Sequence, residues 1–137
     1  MSYAGDITPE ETWKLLSENP DAVLVDCRTE AEWRFVGVVD TSSLGRDVVY
    51  VEWNRTDGSH NDGFIDDLVA TGVAPGGRPV AFLCRSGNRS IGAAEAATAA
   101  GIGPSYNILD GFEGNLDESK HRGGTGWKAV GLPWKQS

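Results

Sequence analysis

Apolar residues along the chain are gathered into short continuous runs, most clearly at residues 22–25 and 80–83. A short run that is apolar on both faces is typical of a strand buried inside a parallel sheet. Weaker runs predict further strands at residues 36–39, 48–53 and 106–109. We therefore expect the core of the protein to be a sheet of short, buried strands.

Helical segments alternate with these runs. The clearest begins at Thr8, because Thr8 and Glu11 form a capping box and Pro9 suits the first helical position, and it is expected to end near Asn19. Three further helices are predicted, at residues 29–35, 64–71 and 90–100. Strands that alternate with helices indicate an open α/β sheet with helices on both faces. Since no repeat or linker divides the chain, residues 1–137 are expected to form one domain.

The charge of the chain changes the picture of its partners. Its 137 residues carry a formal charge of −8 at pH 7. An acidic surface of this kind is expected to repel nucleic acid and anionic membranes. Any site for an anion must therefore create its own local positive field, which makes clusters of arginine informative.

The cysteine count and the apolar runs indicate the compartment. Cys27 and Cys84 are too few for a disulfide scaffold and lack the paired spacing of a zinc site, so no metal is expected. Residues 1–11 show no signal peptide, and no stretch approaches the roughly 20 apolar residues of a transmembrane helix. We expect a cytoplasmic protein, since free thiols persist in a reducing compartment.

The segment at residues 84–89 combines the features of an anion-binding loop. It directly follows a predicted strand and leads into a predicted helix, and ligands of open α/β sheets bind at this end of the strands. A tight turn at Gly87 can direct several backbone N–H groups into one concavity. The helix dipole and the charges of Arg85 and Arg89 add to the positive field. The sequence therefore predicts a cationic cradle.

Cys84 is the candidate nucleophile of this cradle. Helix N-termini and arginines favour the thiolate, which is the reactive form of cysteine. The alternative, a cysteine that only fills space in the core, would not need the flanking glycine and arginines. Four residues separate Cys84 from Arg89, so the loop has six residues and its pocket is expected to be narrow.

Four segments, in this order along the chain, resemble the rhodanese homology domain. They are VDCR at residues 25–28 with Glu32 and Trp33, CRSGNRS at 84–90, LDGFEG at 109–114 and WKAVGLP at 127–133. Each segment is a weak signal alone, but the ordered set spans nearly the whole chain.

The resemblance implies a parallel five-stranded sheet and sulfur transfer through a persulfide on Cys84. The donor would be a small sulfur-containing anion such as thiosulfate, and the acceptor cyanide, a thiol or a protein. Neither a metal nor an organic cofactor is required. Asp26 and Arg28 would support the loop from the neighbouring strand end. The substrate would be bound by the rest of the loop, whose residues are Arg85, Ser86, Gly87, Asn88, Arg89 and Ser90.

The sequence also departs from the family pattern. Rhodaneses often carry a stretch that resembles Gly-His-Ile-Pro-Gly-Ala after the first signature, but residues 37–42 lack its histidine and proline. The segment at residues 41–63 is also long. Both differences bear on the rim of the pocket and on the identity of the substrate.

Sulfur transfer has three alternatives. Phosphatases with a Cys-x5-Arg loop have one more residue, and here Ser90 stands at that position, so the loop is too tight for phosphate. A regulatory binding module would be indicated by loss of the cysteine, which is present. A persulfide carrier that delivers sulfur to a protein shares the chemistry and remains open.

Several smaller candidates have structural interpretations. Cys27 could act as a resolving thiol, since neighbouring strands lie within disulfide reach, but a packed core cysteine is favoured. His60 and His121 lie in polar segments and are interpreted as surface residues. Trp53 could line the mouth of the pocket or pack in the core.

Overall fold

A parallel five-stranded sheet forms the centre of the computed structural model, which describes residues 2–136. Met1 and Ser137, the ends of the predicted domain, lie outside the described residues. The strands are β1 (Gly5–Ile7), β2 (Val23–Asp26), β3 (Val38–Val39), β4 (Val49–Tyr50), β5 (Val80–Leu83), β6 (Ser105–Ile108) and β7 (Trp134–Lys135). The main sheet has the order β1-β6-β5-β2-β4, and β3 pairs with β7 in a separate antiparallel ribbon.

Helices cover both faces of the sheet, as the sequence predicts. They are α1 (Pro9–Glu18), α2 (Glu30–Phe35), α3 (Phe64–Ala70) and α4 (Arg89–Ala99), with a 3₁₀ turn at Ser42–Leu44. Capping boxes start α1 at Thr8 and α2 at Thr29, because each threonine exchanges hydrogen bonds with a glutamate three residues later. No helix of residues 2–136 is long and apolar enough to cross a membrane.

Each face of the sheet has its own apolar core. Alternate residues of the central strands, such as Val25 and Phe82, pack with α3 and α4. The residues between them, such as Leu24 and Leu83, pack with α1 and with Trp127 of the closing segment. Strands β2 and β5 are buried along their whole length, which explains their unbroken apolar runs.

Two strand predictions need correction. The predicted strand at residues 36–39 is shortened to β3 and lies outside the main sheet, because it pairs with β7. The fifth strand of the main sheet is instead β1, which the sequence did not predict. Glycine and aspartate in β1 hide its strand character, and as an edge strand it pairs only with β6.

The register of the sheet brings the functional segments to one edge. Strands β2 and β5 are parallel neighbours, with Asp26 opposite Leu83. The ladder extends one step further, since the N–H of Cys27 donates to the carbonyl of Leu83 at 2.9 Å. The next residues on the two strands, Cys27 and Cys84, therefore lie side by side at the carboxyl edge.

Candidate active site

Cys84 lies directly after β5 and beneath the loop at residues 84–89. Its side chain is buried, with 1% of its surface exposed. Its Sγ accepts the backbone N–H of Gly87 at 3.1 Å and lies 3.1 Å from Oγ of Ser90. Among residues 2–136, Gly87 supplies the one backbone N–H that donates to this sulfur, whereas the sequence predicts several backbone N–H groups turned into one concavity.

Close backbone contacts hold the loop in shape. Gly87 has a φ of 97°, a region that favours glycine, and a Cβ there would lie 3.1 Å from the backbone nitrogen of Asp110. The N–H groups of Phe112 and Glu113 donate to the carbonyls of Cys84 and Arg85, each at 2.9 Å. The motif at residues 109–114 therefore acts as a brace for the start of the loop.

The loop leads into the first turn of α4, which begins at Arg89. Asn88 stands at the N-cap position, but its side chain makes no capping hydrogen bond. The free N–H groups of the first turn and the helix dipole give this end of α4 partial positive charge. The Gly87 amide and the start of α4 are thus placed to favour negative charge on sulfur.

Both arginines of the loop are paired with carboxylates, which the sequence did not predict. Arg89 makes two hydrogen bonds to Glu32, at 2.7 and 2.9 Å. Arg85 lies 3.2 Å from Glu113. Burial opposes ionisation of Glu32, but the hydrogen bonds and charge of Arg89 outweigh it and lower the pKa of Glu32. Burial likewise opposes the charge of Arg89, but Glu32 outweighs it and raises the pKa of Arg89.

Asp26 and Arg28 form a fully buried ion pair beside the loop. Nη2 of Arg28 lies 2.7 Å from Oδ2 of Asp26 and donates to the carbonyl of Gly37 at 2.8 Å. The guanidinium also stacks on Phe112, 4.2 Å from the ring centroid. Since Phe112 hydrogen-bonds to Cys84, this pair reaches the loop through Phe112 rather than by direct contact.

An open pocket of about 630 Å³ lies above the loop. It is lined by Glu32, Val36, Arg85, Ser86, Asn88, Arg89, Glu113 and Arg122. Four of the six predicted substrate-binding residues are in this lining. The other two, Gly87 and Ser90, are buried and contact the Cys84 sulfur instead.

Cys27 is placed beside Cys84 but in a different environment. Both are free cysteines, and both belong to the core on the α3 and α4 face of the sheet. The Sγ of Cys27 is fully buried and donates to the carbonyl of Leu83 at 3.2 Å. Burial, followed by the nearby sulfur of Cys84, raises the pKa of Cys27 well above its ordinary range. The structure therefore describes Cys27 as a packed thiol.

Of the two alternatives for Trp53, the structure shows packing. Its ring contacts Phe64 and His60, with centroid distances of 5.0 and 4.5 Å. It also covers Gly92 of α4, where a Cβ would lie 2.9 Å from the ring. His60 and His121 are exposed, in agreement with the interpretation of both as surface residues.

Comparison with known proteins identifies the family of this fold. A family profile for the rhodanese-like domain matches residues 8–117. The chain is similar to the crystal structure of Rv0390 from M. tuberculosis, with a TM-score of 0.92 and 68% identity over 99% of this chain and 100% of that one. The uncharacterized protein RC0915 of Rickettsia conorii is 35% identical over 95% of this chain and 96% of its own length.

A third similarity is to a protein with a named activity. The solution structure of a polysulfide-sulfur transferase homodimer from Wolinella succinogenes has a TM-score of 0.62 and 25% identity. The match covers 95% of this chain and 77% of that one.

Proposed function

Since the chain belongs to the rhodanese-like domain family, we propose that it moves sulfane sulfur from a small anionic donor such as thiosulfate to a thiophilic acceptor. Cys84 carries the sulfur as a persulfide. The observation on which this rests most is the Cys84 sulfur held by the Gly87 N–H beside the start of α4. The Wolinella succinogenes relative supports the broader assignment to sulfur transfer.

In the first half-reaction, the Cys84 thiolate attacks the outer sulfur of thiosulfate. A bond forms between the two sulfurs, and the sulfur–sulfur bond of thiosulfate breaks. Sulfite leaves with the electron pair, and Cys84 becomes a persulfide anion. No general base is needed once the thiolate exists.

In the second half-reaction, an acceptor attacks the outer sulfur of the persulfide. The bond between the two sulfurs breaks, and its electron pair returns to Cys84 as thiolate. Cyanide leaves as thiocyanate, and a thiol leaves as a new persulfide. The Gly87 amide and the helix terminus stabilise negative charge on sulfur in both halves, as an oxyanion hole does for oxygen.

The loop residues that line the pocket would hold the donor. Arg85 and Arg89 are each bonded to a carboxylate, so the charge that faces the donor is shared with Glu32 and Glu113. The Cys84 sulfur is nearly enclosed, which favours a donor with a narrow reacting end. This enclosure fits a terminal sulfur better than a phosphoryl group with three oxygens.

A second candidate acceptor is a protein that takes the sulfur from the Cys84 persulfide. Phe35 at the end of α2 is 74% exposed, and the adjacent Val36 lines the pocket. An exposed aromatic side chain beside a pocket is a common feature of protein contact surfaces. We place the reaction in the cytoplasm, where Cys27 and Cys84 would remain free thiols.

Mass spectrometry of the intact protein tests the proposal. Incubation with thiosulfate should add the mass of one sulfur atom, and cyanide should then remove it. The variant Cys84→Ser should gain no mass under the same conditions. A sulfur adduct of equal size on Cys84→Ser, or none on the unchanged protein with either thiosulfate or polysulfide, would contradict it.

A further inference from the structure

A chain of hydrogen bonds leads from the surface of the edge strand β1 to the sulfur of Cys84. Asp6 stands opposite Asn107 in the pairing of β1 with β6, and its Oδ1 accepts Nδ2 of Asn107 at 3.0 Å. Oδ1 of Asn107 accepts the hydroxyl of Ser90, whose oxygen lies 3.1 Å from Sγ of Cys84. Asp6 is exposed, whereas the other three side chains are buried.

The direction of each hydrogen bond along this path is set by Asp6. An ionised carboxylate has no hydrogen to donate, so Asn107 must turn its NH₂ group toward Asp6 and its oxygen toward Ser90. The single hydroxyl hydrogen of Ser90 is then used by Asn107. The Ser90 oxygen meets the sulfur with a lone pair, so their contact is a hydrogen bond only when Cys84 has a proton to donate.

Tyr3 is a second hydrogen-bond donor to Asp6. Its hydroxyl donates to the same Oδ1 at 2.8 Å, and this bond is the main reason that the pKa of Tyr3 is raised. One oxygen of Asp6 thus accepts two donors, from Tyr3 and from Asn107.

We propose that Asp6, Asn107 and Ser90 are positioning residues that keep the Ser90 hydroxyl turned away from Cys84, so that a negatively charged sulfur gains no second donor beside the Gly87 N–H. A thiolate or a persulfide has no proton on Sγ to give to Ser90. If the Ser90 hydroxyl turns to the sulfur instead, the buried oxygen of Asn107 loses its donor, which is unfavourable. If Asn107 rotates, its oxygen meets the carboxylate of Asp6. Both rotations that would let Ser90 donate to the sulfur are therefore opposed.

Other groups act on the same sulfur in the opposite direction. Gly87 donates its N–H to Sγ, and the guanidinium of Arg89 is close enough for its charge to interact with Cys84. The sulfur of Cys27 does not act in this direction, because negative charges on the two neighbouring sulfurs repel each other. Asp6 differs from all of these groups because it lies at the surface, where it can be changed without altering the core.

The substitution Asp6→Asn tests this relay, the path of hydrogen bonds from Asp6 through Asn107 and Ser90 to Cys84. An amide at position 6 can donate to the oxygen of Asn107, so Asn107 can turn, donate to Ser90 and free the Ser90 hydroxyl for the sulfur. We expect the rate of Cys84 alkylation by iodoacetamide at pH 7, followed by peptide mapping, to rise by about 3- to 10-fold, the size of one redirected hydrogen bond. The pH profile of alkylation should move to lower pH. An unchanged rate and profile would overturn the proposal.

Two controls separate the relay from a simple change of charge. Glu95→Gln removes a negative charge from α4 near Tyr3, where Glu95 raises the pKa of the phenol, but Glu95 lies outside the relay. It should change the alkylation rate much less than Asp6→Asn. In a Ser90→Ala background, Asp6→Asn should have no accelerating effect. An equal acceleration in either control would overturn the relay.

The inference rests on Cys84 being the nucleophile of the proposed function, but its test does not require sulfur transfer. If Cys84 is alkylated and Asp6→Asn has no effect, the relay fails and the proposed function stands. If Cys84 is alkylated faster in Asp6→Asn, yet neither protein takes sulfur from thiosulfate or polysulfide, the proposed function fails and the relay stands.

Discussion

Cys27 and Cys84 occupy equivalent places in the sheet but differ in what surrounds their sulfur atoms. Each directly follows the end of its strand, one step beyond the paired residues Asp26 and Leu83. Cys27 donates to a backbone carbonyl, and burial raises its pKa well above the ordinary range. Cys84 accepts a backbone N–H at the start of α4. The comparison teaches that the strand end provides the position, whereas the loop and helix provide the chemistry.

The largest expected effect comes from exchanging each sulfur for oxygen. Cys84→Ser removes the only nucleophile of the scheme and should reduce thiosulfate:cyanide turnover by at least ~10³-fold. Cys27→Ser preserves size and should keep turnover within about 3-fold, since Cys27 takes no part in the reaction. Steady-state kinetics of the two variants, with circular dichroism to verify folding, makes the comparison. Equal losses in both variants would contradict the distinction.

The next effect concerns the turn that aims an amide at Cys84. Gly87→Ala places a Cβ at a φ of 97° and 3.1 Å from the nitrogen of Asp110. Strain of this kind costs about 1–3 kcal/mol, so we expect turnover to fall by about 10- to 100-fold as the loop shifts. Gly58→Ala is the matched control, because its φ is also positive, at 91°, with no atom within 4 Å of the new Cβ. Equal turnover in the two variants would show that the Gly87 contact is not needed.

A smaller effect concerns the stability that Cys27 causes the protein to lose at alkaline pH. The pKa of Cys27 is raised in the folded protein, so its contribution to stability is complete below the unfolded pKa and decreases as the pH rises above it. The free energy of unfolding should therefore fall above about pH 8.5, by up to about 1.4 kcal/mol per pH unit. Urea unfolding at pH 7 and pH 10 should show a smaller decrease for Cys27→Ser. A decrease of the same size in the variant would assign it to other groups.

The smallest expected effect concerns the ion pair between Arg89 and Glu32. Glu32→Gln leaves Arg89 without its carboxylate, so the pocket becomes more positive, and the apparent affinity for thiosulfate should improve by about 2- to 5-fold at low salt. The pair is partly exposed, with side-chain exposures of 24% and 18%, so the loss of stability should stay near ~1 kcal/mol.

The pH dependence of this pair has a defined sign. The pKa of Glu32 is lowered in the folded protein, so its stabilisation is present at neutral pH and is lost as the pH falls through the acidic range. Unfolding of the unchanged protein should therefore become easier on acidification by more than that of Glu32→Gln. Parallel acid profiles for the two proteins would contradict this assignment.

The parts of the fold that the sequence predicted are those with a local signal, such as a continuous apolar run or a capping box. Strand β5 was predicted with its observed bounds, because residues 80–83 are apolar on both faces. Thr8 predicted the start of α1 through a local capping box. Strand β1 was missed since Gly5 and Asp6 show no strand pattern, and only the pairing with β6 makes that segment a strand.

In the candidate site, too, the sequence predicted the local features and missed the pairings between distant segments. The loop at residues 84–89 is contiguous, so its order of strand, cysteine, glycine and helix could be read directly. The pairing of Arg89 with Glu32, 57 residues apart, depends on how α2 packs beside the loop. Asn107 is also a signal in the sequence. A polar residue inside a predicted buried strand needs a hydrogen-bond partner. Its partners, Asp6 and Ser90, come from two distant elements.

Locating the transferred sulfur decides whether Cys84 is its carrier. The protein is loaded with one equivalent of thiosulfate, blocked with an alkylating reagent, digested, and both cysteine peptides are measured by mass spectrometry. We expect the extra sulfur on the peptide that contains Cys84, with Cys27 recovered without it. Sulfur on Cys27, or divided equally between the two peptides, would contradict the account.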